Sequence, residues 1–193
     1  MERRRKPLRL PGYDYATPGA YFVTICANGR QNVFGEVING EMRLDETGQI
    51  VSDVWRALPD RYPFIECDQF IVMPNHVHGI IWLTNLRRGE SCIRPIRGGE
   101  SCIRPIRGSD DEHRPYVNPK GTLPGTVNRV VQGFKSLTTI GWMRQNHGST
   151  QTKIWQRGYY ERVIRNGREL DAMRSYIANN AQKWNMDPEH PPS

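Results

Sequence analysis

No run of apolar residues in this chain approaches the ~20 needed to cross a bilayer. The basic N-terminus is not followed by the apolar stretch of a signal peptide. Both absences point to a cytoplasmic protein with no membrane partner. Cysteine is scarce: Cys26, Cys67, Cys92 and Cys102 are all there are in 193 residues, and none belongs to a C-x-x-C pair. That excludes a zinc knuckle or a dithiol redox motif and predicts free thiols in a reducing compartment. Acid is also in short supply, with 20 Asp and Glu against 27 Lys and Arg, a net charge of +7. The excess gathers in "MERRRKPLR", which holds five basic residues and one acid. Such a balance favours a polyanionic partner, nucleic acid above all. The apolar share of 37% and charged share of 24% fit one globular domain with enough chain for a core.

Periodic hydrophobicity is missing from residues 86–124. There "GESCIRPIRG" at 89–98 recurs unchanged at 99–108. Two copies cannot build a solenoid, which needs about three repeats. The Gly, Pro and Arg content reads as a tandem duplication inside a surface loop, where doubling the length costs only about 0.6 kcal/mol of closure entropy. Its arginines read as solvated loop charge, and Cys92 and Cys102 need no special role.

The rest of the chain is patterned. "YFVTICA" (21–27) reads as a strand. Asn39-Gly40 is a two-residue hairpin signal between short strand-like runs. Ile50, Val51, Val54, Trp55 and Leu58 have helical spacing, with Pro59 near the end. "FIECDQFIVMP" and "HVHGIIWLT" read as two strands bent at Pro74-Asn75. Val127, Val130, Val131, Phe134, Leu137 and Ile140 define one helical face, and "IWQRGYYERVIR" (154–165) is a strand candidate. The last helix starts at a cap on Asn166, with Glu169 placed as in a capping box. Setting the hairpin aside, the order is β-α-β-β-α-β. This predicts an α+β, ferredoxin-like (RRM-like) antiparallel sheet with helices on one face, plus the extra hairpin and a C-terminal tyrosine-bearing helix. Residues 1–20 form a basic arm, 21–187 the domain with the insertion at 86–124, and 188–193 a tail.

Within "MPNHVHGIIW", His76 and His78 lie two apart on a predicted strand. They therefore share a face, about 6.6 Å apart along the chain, while Val77 and Gly79 face the other way. Two imidazoles so placed can converge on one ion; a satisfied pair at a sheet edge is the plain alternative. A histidine-triad hydrolase needs a third His at position 80, which is Ile. A dinuclear metallohydrolase needs Asp and His just beyond, where Gly79-Ile80-Ile81-Trp82 stands.

"PNHVHGIIW" resembles the HUH motif (His, hydrophobic, His) of Y1 tyrosine transposases of the IS200/IS605 type. The stretches "LPGYDYATPGAYFVTICANGR", "GTVNRVVQGFKSLTTI" and "IWQRGYYERVIRN", with "YIANN" after them, resemble more narrowly the REP-associated tyrosine transposases. The resemblance runs from about Leu10 to Asp187 outside the repeat loop. It implies a single-stranded DNA endonuclease and strand-transferase that forms a 5′-phosphotyrosine link. The nucleophile is implied on the last helix, in a Tyr-x-x-x-Gln/Asn pattern that Tyr176 and Asn180 fit, sharing a helix face at i, i+4. His76, His78 and Asn180 are then the implied metal ligands. Two imidazoles by themselves favour zinc or another late transition metal, whereas the resemblance implies Mg²⁺ or Mn²⁺. The implied partner is a hairpin of repetitive extragenic palindrome (REP) type, bound by a monomer or a homodimer. Arg3, Arg4, Arg5, Lys6 and Arg9 of the arm, with Lys135 and Arg157, are the expected DNA contacts. Tyr159 and Tyr160 are rival tyrosines, better suited to packing or base stacking. Two departures stand out: Arg162, where relatives often carry His, and Ala181 after Asn180, where they often carry Pro. They leave open a hairpin-binding module of the same fold that does not cut.

Overall fold

A computed structural model of the chain describes residues 15–84, 125–146 and 153–186. Arg3, Arg4, Arg5, Lys6 and Arg9 of the arm, and the repeat with Cys92 and Cys102, lie outside them. The described elements are β1 (Gly19–Cys26), β2 (Gly35–Ile38), β3 (Glu41–Leu44), α1 (Glu46–Arg56), α2 (Leu58–Arg61), β4 (Ile65–Met73), β5 (His76–Leu83), α3 (Val127–Gln145), β6 (Tyr160–Ile164) and α4 (Gly167–Ala178). Four strands form one sheet in the order β4-β5-β1-β6, and β2 pairs with β3 apart from it. Every neighbouring pair of the sheet is antiparallel. The crossover through α1 leaves room between β1 and β4, which β5 fills, and β6 closes the outer edge of β1. This is the split order expected from the sequence.

The side-chain alternation of β1 and β5 serves two layers. Tyr21, Val23, Ile25, Val77 and Ile81 join Val51 and Trp55 of α1 and Val130, Val131 and Phe134 of α3 in the main core. The intervening residues Ala20, Phe22 and Ile80 pack with Ile177, against which Leu170 and Met173 of α4 also lie. Thus α1 and α3 share one face, and α4 takes the opposite face. Central strands covered on both sides read as nearly continuous apolar runs rather than alternating ones. No helix among the described residues is long and apolar enough to cross a membrane.

Local chemistry explains the boundaries. Asn39 and Gly40 both have positive φ, 54° and 79°, the requirement of the tight hairpin turn. Asp45 caps α1 by accepting from the Gly48 N–H at 2.8 Å. Pro59 does not end that helix but sits in the first turn of α2, where its fixed φ fits and its missing N–H is not needed. In α3 the inward row changes from i+3 to i+4 spacing after Phe134. Thr138 and Trp142 are buried, while Leu137 is half-buried and Ile140 is 45% exposed, contrary to the expected face. Thr138 fits inside because its hydroxyl accepts from the Trp155 indole N–H at 2.7 Å. The strand expected over 154–165 shortens to β6, preceded by a single bridge between Ala27 and Trp155. Asn166 caps α4 from its side chain, and Glu169 reaches one residue further back than a capping box, to the Arg165 N–H.

Two contacts fix the layers. Gly79 lies under Trp55: a Cβ there would stand 2.4 Å from the indole ring, which stacks on Phe70 at 4.3 Å. On the other face, Arg174 of α4 clamps Asp68 of β4 through two nitrogens, with Nη2 to Oδ2 at 2.6 Å and Nε to Oδ1 at 3.1 Å. The Trp82 indole donates to the same carboxylate at 3.1 Å. The Arg174 hydrogen bond is the main cause that holds the Asp68 carboxyl below its usual range.

Each contact gives an expected outcome. In Gly79→Ala, overpacking costs ~1–3 kcal/mol and outweighs the ~0.5–1 kcal/mol a strand gains from losing glycine. Chemical denaturation should show net destabilisation, and an unchanged midpoint would refute the close approach. A carboxyl held low in the folded state stabilises above its ordinary range, and that contribution disappears as pH falls through the folded value. Asp68→Asn should therefore flatten the acid limb of the stability curve and speed amide exchange within α4 more than within β5.

Candidate active site

The α4 face of β5 presents both histidine rings, His76 fully buried and His78 at 3% exposure. The β1–β5 register sets Thr24 opposite His78 and Cys26 opposite His76. Consequently the Thr24 hydroxyl meets His78 Nδ1 at 2.8 Å. On the other ring, Asn75 Oδ1 lies 2.8 Å from His76 Nδ1. The Asn75 amide nitrogen donates to the Arg30 carbonyl at 3.2 Å, which fixes which end of the amide faces the ring. His76 must therefore donate from Nδ1. The two Nε2 atoms face each other at 2.9 Å.

Hydrogen-bond accounting then constrains the pair. With Nδ1 of His76 donating, its Nε2 carries a lone pair unless the ring is an imidazolium. The Tyr176 hydroxyl lies 3.2 Å from His78 Nε2 and can donate to a lone pair there or accept from an N–H. With Thr24 donating to His78 Nδ1, a His78 Nε2–H satisfies the His76 lone pair and both rings are neutral; with the other His78 tautomer two lone pairs face each other, an arrangement that can take a cation between them. Burial, followed by the charge of His76, pushes His78 well below the usual histidine range. Its ring is neutral at pH 7, the state a metal ligand needs. Two nitrogens ~2.1 Å from one ion and at right angles around it stand about 3 Å apart, which suits the observed spacing. Among the described residues no three His, Cys, Asp or Glu side chains cluster. An ion here could draw further oxygen ligands from amides, water or a bound phosphate. The donor set therefore fits a divalent cation, and the hydrogen bonds at both Nδ1 atoms are the kind of outer support that orients imidazole ligands.

Tyr176 reaches this pair from α4. Leu170, Met173 and Ile177 face the sheet, and Tyr176 lies at the border of that stripe, 38% exposed. Its ring meets His78 edge-on, with centroids 5.1 Å apart, while Phe22 stacks on His78 at 5.3 Å. The expected meeting of phenol and imidazoles is therefore present. Asn180 arrives differently from the i, i+4 expectation. α4 ends at Ala178 with Asn179 as its C-cap, so the following turn, not the helix face, carries Asn180 at 2% exposure. Tyr159 turns its hydroxyl to Glu161 Oε2 at 2.6 Å, and Tyr160 lies 44% exposed, opposite Thr24 in the register.

A cleft of about 520 Å³ opens over the site, lined by residues including Phe22, Arg30, His78, Arg157, Arg162 and Tyr176. Arg157, one of the expected DNA contacts, is among the residues that line this cleft. Lys135 is committed inside the chain: its ammonium donates to the carbonyls of Gln156, at 2.9 Å, and Gly158. Burial lowers it to about 8, so it braces the cleft wall. Arg162 donates to Glu169 Oε1 at 3.3 Å. Cys67 is a free thiol, pushed up to about 12 by burial. Sequence reasoning missed Thr24, Asn75 and Arg30. Asn75 adjoins the histidine motif and could have been found there; the other two become visible only through register and loop packing.

No family model matches the chain. It is 34% identical over 183 residues to an uncharacterized protein of Haemophilus influenzae, covering 95% of this chain and 91% of that one. An uncharacterized protein of Caenorhabditis elegans is 24% identical over 189 residues, which is 96% of this chain and only 18% of that protein. Among solved structures, a REP-associated tyrosine transposase bound to a REP hairpin aligns with a TM-score of 0.53 and 18% identity, over 97% of this chain and 76% of that one. The chain belongs to one family with the Haemophilus influenzae protein, and its fold is that of a REP-associated tyrosine transposase.

Proposed function

We propose that the protein is a single-stranded DNA endonuclease and strand-transferase acting through Tyr176. The observation that carries this reading is the approach of the Tyr176 hydroxyl to His78 Nε2 at 3.2 Å, beside the facing Nε2 pair. The likeness to a transposase fold supports it, and so does the cleft that opens on the phenol.

In the proposed reaction Tyr176 Oη attacks a phosphorus of the strand. The new P–Oη bond forms as the P–O3′ bond breaks. The phenol proton leaves to solvent through the open side of the cleft, and the departing 3′ oxygen takes up a proton. The product is a 5′-phosphotyrosine with a free 3′-OH, and attack by another 3′-OH reverses the step without an external energy source. A free phenol has pKa ~10, so its reactivity must come from its surroundings. Phe22 and His78 fix the ring in place. His76 and His78 would hold a divalent cation, Mg²⁺ or Mn²⁺, with Asn180 offered as an oxygen donor. When bound, such an ion polarises the scissile phosphate and offsets developing charge. Thr24 and Asn75 keep the ring nitrogens aimed inward. Arg157, with the basic arm at Arg3, Arg4, Arg5, Lys6 and Arg9, would hold the strand, and a REP-type hairpin is the proposed target.

The test is a covalent adduct. Wild type incubated with labelled single-stranded hairpin DNA and Mn²⁺ should give a protein–DNA species that survives a denaturing gel. Tyr176→Phe should lose the adduct and retain DNA binding. Binding without an adduct from wild type, across many hairpins, would instead assign a hairpin-binding module. Thr24→Val and Asn75→Ala should each weaken Mn²⁺ binding ~10–100-fold, read by titration calorimetry without DNA. Unchanged affinity in both would remove the ion from the histidine pair.

A further inference from the structure

Three observations beside the histidine pair converge on Arg30. Arg30 is exposed and lines the cleft along with His78, Tyr176 and Arg162. Its backbone is left-handed at φ 55°, and among the described residues Asn39 is the other non-glycine with positive φ. Asn39 serves a hairpin turn. Arg30 ends the short turn Asn28–Arg30, directly after Gly29, which is also left-handed at φ 63°, and a residue with a side chain holds this conformation only where its surroundings impose it. Here they do: the Arg30 carbonyl accepts from the Asn75 side chain at 3.2 Å, and its N–H donates to the Ala27 carbonyl at 3.1 Å. Ala27 in turn donates from its N–H to the Asn75 carbonyl at 2.7 Å. The other end of the same Asn75 amide holds His76 Nδ1 at 2.8 Å. One side chain thus sets the position of a buried imidazole and of a cleft arginine together.

We infer that Arg30 grips a phosphate of the DNA strand in the cleft, and that Asn75 couples this grip to the placement of His76. The inference rests on the DNA-cleaving reading above. A guanidinium fork matches two phosphate oxygens at once, which a lysine ammonium cannot do. The turn places Arg30 in the lining of the cleft that also contains Tyr176.

The experiment compares full-length wild type, Arg30→Gln, Arg30→Lys and Arg30→Gly on a single-stranded DNA hairpin with unpaired flanks. Affinity is measured over a salt series, and thermal unfolding in parallel. Arg30→Gln should bind about tenfold more weakly, and its slope of log affinity against log salt should be shallower by about 0.7, one phosphate contact on a single strand. Arg30→Lys should recover the slope and only part of the adduct rate. Arg30→Gly relieves the left-handed strain. It should unfold at or above the wild-type temperature and yet bind as weakly as Arg30→Gln. An unchanged slope in Arg30→Gln overturns the inference. So does an Arg30→Gly protein whose weaker binding comes with a lower unfolding temperature, which would make Arg30 a loop-shaping residue. A wild type that does not bind the hairpin at all overturns the underlying reading instead.

Discussion

Two imidazole nitrogens aimed at each other 2.9 Å apart inside a protein form an arrangement that water would never leave alone. Each Nδ1 is already engaged, by Thr24 on one ring and Asn75 on the other. Neither ring can swing away without stranding a buried hydrogen-bonding group, at a cost of ~1–3 kcal/mol. The surrounding bonds therefore hold the two Nε2 atoms face to face, able to share a proton or to take a cation. Thr24 comes from β1 and Asn75 from the bend before β5, so the pair stays converged only while the β1–β5 register and that bend are intact.

The helix that brings Tyr176 is held from outside this centre. Asp68 and Arg174 tie α4 to the β4 edge, while Leu170, Met173 and Ile177 pack it on the sheet. Placing α4 opposite α1 and α3 separates two tasks. The main core lies beneath Trp55 and Phe134, and the polar chemistry lies on the other face. A polar substitution near Tyr176 therefore need not disturb the main core, and a cleft can remain open on that side. Lys135 shows the converse: a basic residue that looks available on a helix is used to hold the carbonyls at 156 and 158, and so shapes the wall between α3 and the site.

Much of the fold was legible in the residues. Asn39-Gly40 forces its turn through positive φ, the β-branched and aromatic run over 21–27 names a strand, and Asn166 marks a helix start through its side-chain oxygen. These are short-range effects, set by sterics and hydrogen bonds within a few residues. The misreadings came where longer contacts compete. Ile140 looked like core because it continued an i+3 row, but Trp155 offered Thr138 a hydrogen-bond partner and the buried row turned with it. Asn180 looked like part of a helix face, but α4 stops at Ala178.

The spacing of His76 and His78 put both rings on one side of a strand, because side chains along a strand repeat every second residue. That much needs no fold. What the rings face could not be read from the chain. Thr24 is 54 residues before His78 and Tyr176 is 98 after it, and no local preference links positions so far apart. Their meeting depends on the strand order, the antiparallel register and the face that α4 covers. Those follow from burying apolar surface over the whole molecule, so only the tertiary structure could bring phenol, hydroxyl and imidazoles together.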